Sequence, residues 1–234
     1  MCCALRSGFC LLTQHPSAMS DRQADVIGFV GGIGSGKSAV AKWVGDRLGG
    51  VVIDADAAGH RALDRPEVQE RIREEFGPDV FDEGGHVIRS RLAARVFGGG
   101  EPERAARRRL EQIVHPVIGR DLEQRIAEAG RTTGLILLDA AVMLEADWRS
   151  VCDAVVYVDV PLETRQQRVQ ATRGWSVNEL KQREASQWPL DAKRRAADVM
   201  IDNSESLESA GQQFLTWYED WRRTHHTGGG RSPS

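Results

Sequence analysis

Five short apolar runs punctuate the chain, at Val26–Val30, Val51–Ile53, Leu135–Leu138, Ala154–Val158 and Val199–Ile201. Together they are rich in β-branched residues and lack polar alternation, which predicts strands buried on both faces. Helical periodicity fills the stretches between them, as in Ala39–Leu48 after the first run. The pattern predicts an α/β fold, a three-layer α/β/α sandwich with a five-stranded parallel sheet in the middle. The spacing is uneven. Leu63 to Ala129 carries little strand pattern, and its Arg-rich helical segments are broken at Gly77-Pro78, Gly84-Gly85 and Gly98-Gly99-Gly100. It reads as a helical insertion, residues 63–129, between the second and third strands. A smaller helical insertion, residues 162–196, carries Arg165, Arg168, Arg173, Lys181, Arg183, Lys193, Arg194 and Arg195. The core of one folding unit, 25–222, is then 25–62, 130–161 and 197–222.

Composition narrows the class. Of 234 residues 41% are hydrophobic, ample for a packed core, and the formal charge of -3 gives no general attraction to nucleic acid or anionic membrane. No run approaches the roughly 18 apolar residues of a membrane span. Arg104, Arg107, Arg108 and Arg109 are offset by Glu101, Glu103 and Glu111 without interleaved aromatics, so they read as a solvated helix face rather than a nucleic-acid surface. Cys2, Cys3 and Cys10 cluster at the start and Cys152 stands alone, which predicts no disulfide framework and a cytoplasmic protein. A monomer or weak oligomer is expected. Residues 1–24 read as an extension outside the fold, with Met19 as an alternative start, and residues 223–234 as a disordered tail in which His225 and His226 form at best a weak metal pair.

The chemistry begins at the first strand. Gly31-Gly32-Ile33-Gly34-Ser35-Gly36-Lys37-Ser38 is a complete G-x-x-x-x-G-K-[ST] phosphate loop between a strand and a helix pattern. Its glycines let successive N–H groups converge on phosphate oxygens, and the following helix turns its positive end toward them. Gly34, Ser35, Gly36, Lys37, Ser38 and Ala39 are therefore expected to bind the phosphates of ATP, with Lys37 on the β and γ groups and the Ser38 hydroxyl on Mg²⁺. At the end of the second run, Asp54-Ala55-Asp56 puts two carboxylates beside the loop, where open α/β sheets build their sites. If the strand continues, both face the same way. A carboxylate there orients an attacking hydroxyl toward the γ-phosphate. The alternative is a helix cap near Ala57, which suits one of the two aspartates better than both.

Four segments, in order and spacing, resemble dephospho-coenzyme A kinases: the phosphate loop, Ile53-Asp54-Ala55-Asp56, Ile113-Val114-His115-Pro116 and Ala197-Asp198-Val199-Met200-Ile201-Asp202-Asn203. Arg89-Ser90-Arg91-Leu92 with Val96-Phe97 resembles a smaller motif of that family. The resemblance spans about Asp25 to Tyr218. It implies a phosphate-loop kinase fold and transfer of the ATP γ-phosphoryl group to the ribose 3′-hydroxyl of dephospho-coenzyme A. It further implies that Asp56 is the catalytic aspartate, that the 63–129 insertion covers the acceptor and contributes Arg89 and His115, and that 162–196 is a lid.

Taken alone, His115 before Pro116 reads as a helix-boundary histidine and Arg89 as a surface charge. Of the lid arginines, Arg168 and Arg173 are expected to reach the triphosphate. By resemblance, Asn203 lies near the adenine. Where the family carries Asp-x-Pro-Leu-Leu-Phe-Glu, this chain reads Asp139-Ala140-Ala141-Val142-Met143-Leu144-Glu145. Asp139 is still expected to hold Mg²⁺ through water, while the exchange bears on acceptor-side packing. Two other functions fit a phosphate loop: a kinase for another small alcohol or nucleotide, and a non-kinase nucleotide switch. Asp82-Glu83-Gly84-Gly85 matches the D-x-x-G of GTPase switches, but no N-K-x-D follows, so it reads as a turn.

Overall fold

A computed structural model describes residues 24–97 and 100–226. The expected N-terminal extension, apart from Ala24, and residues 227–234 lie outside the described residues. Strands β1 (Asp25–Gly31), β2 (Val51–Asp54), β3 (Leu135–Asp139), β4 (Ala154–Asp159) and β5 (Val199–Asp202) make one sheet. All neighbours pair in parallel, in the order β2-β3-β1-β4-β5. β1, at the centre, is buried along its whole length, as its unbroken apolar sequence predicts. The chain doubles back on either side of β1, so the carboxyl ends of β1, β2 and β3 open onto one crevice.

Helices α1 (Lys37–Leu48) and α9 (Leu207–His226) cover one face, with α2 (Ala55–Ala62), α3 (Pro66–Phe76), α4 (Arg89–Val96) and α5 (Glu101–Ala129) on the other. The 162–196 insertion contains α6 (Leu162–Arg173), α7 (Val177–Glu184) and α8 (Leu190–Ala196). Two apolar clusters form. One holds Ile27, Phe29, Val40, Val44, Leu137, Val156 and Phe214, and the other holds Val26, Val30, Ile136, Leu138 and Tyr157 with the insertion. The two sets alternate along β1 and β3, as the strand period requires.

Three expectations are corrected. The second strand stops at Asp54, whose carboxylate accepts the Ala57 N–H at 2.9 Å and caps α2. Asp54 and Asp56 therefore do not share a strand face, because the cap bends the chain into a helix before Asp56. The His115-Pro116 step is not a helix boundary, since α5 runs unbroken through Pro116 for 29 residues. Proline leaves the Gln112 carbonyl without its helical donor, and burial of Ile113, Val117, Ile118, Leu122 and Ile126 along the same helix offsets the loss. Residues 223–226, expected within a disordered tail, instead belong to α9, which continues to His226. His225 stacks on Trp221 at 4.6 Å, and His226 Nε2 lies 2.7 Å from the Asp25 carboxylate. That same carboxylate accepts the buried Tyr218 hydroxyl at 2.6 Å, so the end of the helix is pinned to the start of β1 rather than forming a metal pair.

Arg104 and Arg108 pair with Glu101, Arg107 with Glu111 and Arg109 with Glu75, so the basic cluster is neutralised on the helix surface. At Asp82–Gly85 the Gly85 N–H returns to the Asp82 carbonyl at 3.1 Å, closing a turn. No helix among the described residues is long and apolar enough to cross a membrane.

The contact between α1 and α9 depends on Gly211, where an added Cβ would sit 2.2 Å from the Trp43 ring. Gly211→Val is expected to lower stability by about 1–3 kcal/mol by forcing the helices apart. Trp43→Ala in the same chain should recover part of that loss. Thermal unfolding of the single and double variants checks both.

Candidate active site

At the carboxyl end of β1 the chain enters the phosphate loop, and α1 begins at Lys37 with no side-chain cap. Gly36 occupies the cap position at φ 83°, a left-handed conformation in which L side chains are strained. Space imposes the same choice, because a Cβ on Gly36 would come within 2.5 Å of the Asn203 amide nitrogen. Without a cap, the N–H groups of Lys37, Ser38 and Ala39 have no acceptor inside the helix, while the Val40 N–H already reaches the Gly36 carbonyl at 3.0 Å. These free donors at the positive end of α1 form a cradle suited to an anion. The Ser35 N–H is used within the loop, on the Gly32 carbonyl at 3.0 Å, and its hydroxyl is buried without a partner. Ser35 thus shapes the cradle from beneath.

Two long-range contacts brace the loop. The Asn203 amide donates to the Ser35 carbonyl at 2.8 Å, and the Arg168 guanidinium reaches that oxygen at 3.4 Å and the Asn203 carbonyl at 2.9 Å. The structure brings Arg168 and Asn203 to the loop, with Asn203 buried against its backbone. Arg173 is not. One turn beyond Arg168, it stacks on Trp175 at 4.8 Å, with Arg183 on the same indole at 3.8 Å.

Arg165 was missed as a site residue. It is buried, donates to the Ile33 carbonyl at 3.3 Å and pairs with Glu184 of α7, so it joins the loop to α6 and α7. Its signal in the sequence was its position three residues before Arg168, on the same face of α6.

Lys37 extends from the first turn of α1 to Asp139 at the end of β3, with Nζ 2.5 Å from Oδ1. Register explains the meeting, since Asp139 lies opposite Phe29 of β1 and Asp54 of β2. Asp56, in the first turn of α2, faces this pair. Although the residue is open to solvent on one side, surrounding protein desolvates the carboxylate and raises its pKa above the ordinary value. Lys37 opposes that rise, whereas Asp139 and Asp54 add to it. The arrangement is three carboxylates around one lysine at the mouth of an anion cradle.

His115 projects from α5 toward the turn after β3, its ring edge-on to Trp148 at 5.7 Å. Burial pushes its pKa below the usual histidine value and Arg107 does likewise, against the pull of Glu111 and Glu145. At neutral pH the ring is an uncharged hydrogen-bonding group rather than a cation. Arg89 is exposed at the start of α4 and makes no ion pair among the described residues. The structure does not bring it to the loop.

No group of three or more metal-ligating side chains forms among the described residues. The exposed Ser38 hydroxyl and the Asp139 carboxylate nevertheless suit a Mg²⁺ ion that takes its remaining ligands from phosphate oxygens and water.

A family profile described as Dephospho-CoA kinase matches residues 25–209. The dephospho-CoA kinase of Carboxydothermus hydrogenoformans is 36% identical over 201 residues, covering 84% of this chain and 94% of the relative. That of Corynebacterium diphtheriae is 39% identical over 188 residues, covering 78% and 90%. The crystal structure of TT1252 from Thermus thermophilus superposes with a TM-score of 0.71 at 30% identity, covering 84% of this chain and 97% of that one. A dephospho-CoA kinase from Campylobacter jejuni, with a TM-score of 0.54 at 20% identity over 85% and 97% of the two chains, shares the fold. With its phosphate loop, its Asp56 site and a match running from β1 into α9, the chain belongs to the dephospho-CoA kinase family.

Proposed function

We propose that this protein transfers the γ-phosphoryl group of ATP to the ribose 3′-hydroxyl of dephospho-coenzyme A, giving coenzyme A and ADP. Family membership supports the acceptor. The observation that carries the chemistry is the Asp56 carboxylate facing the Lys37–Asp139 pair at the mouth of the phosphate loop.

In this reading the N–H groups of Gly34, Gly36, Lys37, Ser38 and Ala39 hold the triphosphate. Lys37 leaves Asp139 for the β and γ oxygens. Ser38 and Asp139 then hold Mg²⁺, which neutralises charge on the phosphates when bound. Asp56 accepts a hydrogen bond from the 3′-hydroxyl and aligns its oxygen with the phosphorus. Phosphoryl transfer passes through a loose transition state, so this alignment counts for more than early proton removal. The proton moves to Asp56 as the new P–O bond forms. Arg168 lies within the loop's own hydrogen bonds and stabilises charge on the migrating group, while Arg173 joins it only if the lid closes further. Asn203 borders the adenine, and neutral His115 offers a hydrogen bond to the acceptor. Arg89, exposed at the start of α4, would meet a phosphate of the acceptor.

ADP formation with Mg-ATP is expected with dephospho-coenzyme A and not with adenosine, AMP or shikimate, and indifference to every acceptor would leave a nucleotide switch. Asp56→Asn should reduce kcat roughly 10²- to 10⁴-fold while ADP still binds. The same substitution should raise thermal stability at neutral pH. The folded-state pKa of Asp56 lies above its unfolded value, so its contribution is favourable when protonated at low pH and is lost as pH rises through the folded value. At pH 7 the ionised carboxylate is therefore a burden that Asn removes, and melting curves at pH 4 and pH 7 should converge and separate accordingly. Gly36→Ala should abolish measurable ADP binding in calorimetry, through strain at φ 83° and collision with Asn203.

A further inference from the structure

Arg165 has no part in the chemistry above, yet the phosphate loop lies directly on it. The residue is only 5% exposed, and a guanidinium persists in such a place only where acceptors surround it. Its Nη1 donates to the Ile33 carbonyl at 3.3 Å and to Glu184 Oε1 of α7. Packing there is close. A Cβ on Gly32 would stand 2.9 Å from Arg165 Nη1, and a Cβ on Gly34 would stand 2.9 Å from the Arg165 carbonyl and 2.7 Å from Val169 Cγ2. One turn of α6 therefore backs the loop from Gly32 to Gly34.

The planarity of the peptide gives this contact a chemical consequence. The Ile33 carbonyl and the Gly34 N–H are opposite ends of one trans peptide, so anchoring the oxygen fixes the direction of the N–H. The same holds one step on, where Asn203 and Arg168 take the Ser35 carbonyl and thereby orient the Gly36 N–H. Carbonyls turned into the cradle would repel phosphate oxygens, and side chains behind the loop hold them away. We infer that Arg165 is a positioning residue for the triphosphate: through the Ile33 carbonyl it aims the Gly34 N–H at the phosphates, and Glu184, by fixing the guanidinium, makes nucleotide affinity depend on the seat of α7. The inference rests on the proposed binding of ATP by this loop.

The test is the full chain carrying Arg165→Met and Glu184→Leu together, which leaves neither charge buried alone. Exchange of a buried pair for apolar side chains is close to neutral for folding, so thermal unfolding should stay near that of the parent. ADP affinity in calorimetry is nevertheless expected to fall about 5- to 30-fold, the size of one lost charge-assisted anchor. The KM for ATP should rise by a similar factor while that for dephospho-coenzyme A stays within about twofold. Arg165→Lys, which keeps a donor for the carbonyl, should recover part of the affinity. ADP affinity within about twofold of the parent, or an equal rise in both KM values, would overturn the inference and leave the kinase reading intact. Should the double variant not fold, Glu184→Gln enters the same measurements: a selective loss of ADP affinity of about threefold supports the inference, and unchanged affinity overturns it. A parent protein that binds no ADP would instead overturn the nucleotide reading, and this inference with it.

Discussion

The N–H groups left without acceptors where β1 turns into α1 impose the central constraint on this molecule. A helix can begin with open donors only if its cap position carries no competing side chain, and Gly36 at φ 83° meets that condition. An uncapped helix start is weak by itself, so distant elements hold it. Asn203 after β5 and Arg168 of α6 converge on the Ser35 carbonyl, and Arg165 takes the carbonyl of Ile33. The rigidity of the anion cradle is supplied by residues more than 130 positions away.

Charge follows from the same geometry. Lys37 stands at the mouth of the cradle, and its ammonium is matched by Asp139. Asp56 and Asp54 add negative charge nearby, and desolvation raises the Asp56 pKa. Gathering and desolvating carboxylates in this way costs stability, a common trade between stability and activity. Elsewhere the molecule avoids such conflict: the arginines of α5 are paired along its surface, and Asp121 joins Arg61 of α2 to Arg125 at 3.0 Å each.

The two insertions contribute differently. The 63–129 segment packs an apolar face on the sheet and presents His115, neutral through burial, beside the turn after β3. The 162–196 segment is held at two points, by Arg165 with Glu184 near the phosphate loop and by Lys193 with Glu145 of the turn after β3. Both pairs are largely withdrawn from water, so each geometry is specific and neither is easily exchanged for another.

Much of the fold was legible along the chain. Five unbroken apolar runs became five parallel strands, and the phosphate loop is a local motif whose glycines dictate its backbone whatever surrounds it. Where reading failed, the deciding interaction was local but ambiguous or else distant. Asp54-Ala55-Asp56 permits a strand or a capped helix, and the Asp54 to Ala57 bond selects the helix. Pro116 is a helix breaker in isolation but is carried by the buried face of α5. His226 belongs to a tail by composition and to the fold by its bond to Asp25, 201 residues away. Arg165, Arg168 and Arg173 have the same chemistry in sequence, and only packing separates the buried residue, the one bracing the loop and the one stacked on an indole. The sequence by itself determined strand order of appearance, the anion cradle and the presence of an acid beside it, because these rest on backbone preferences and near neighbours. Tertiary structure alone decided which charges meet, because burial, desolvation and pairing are properties of surfaces that come together only when the chain has closed.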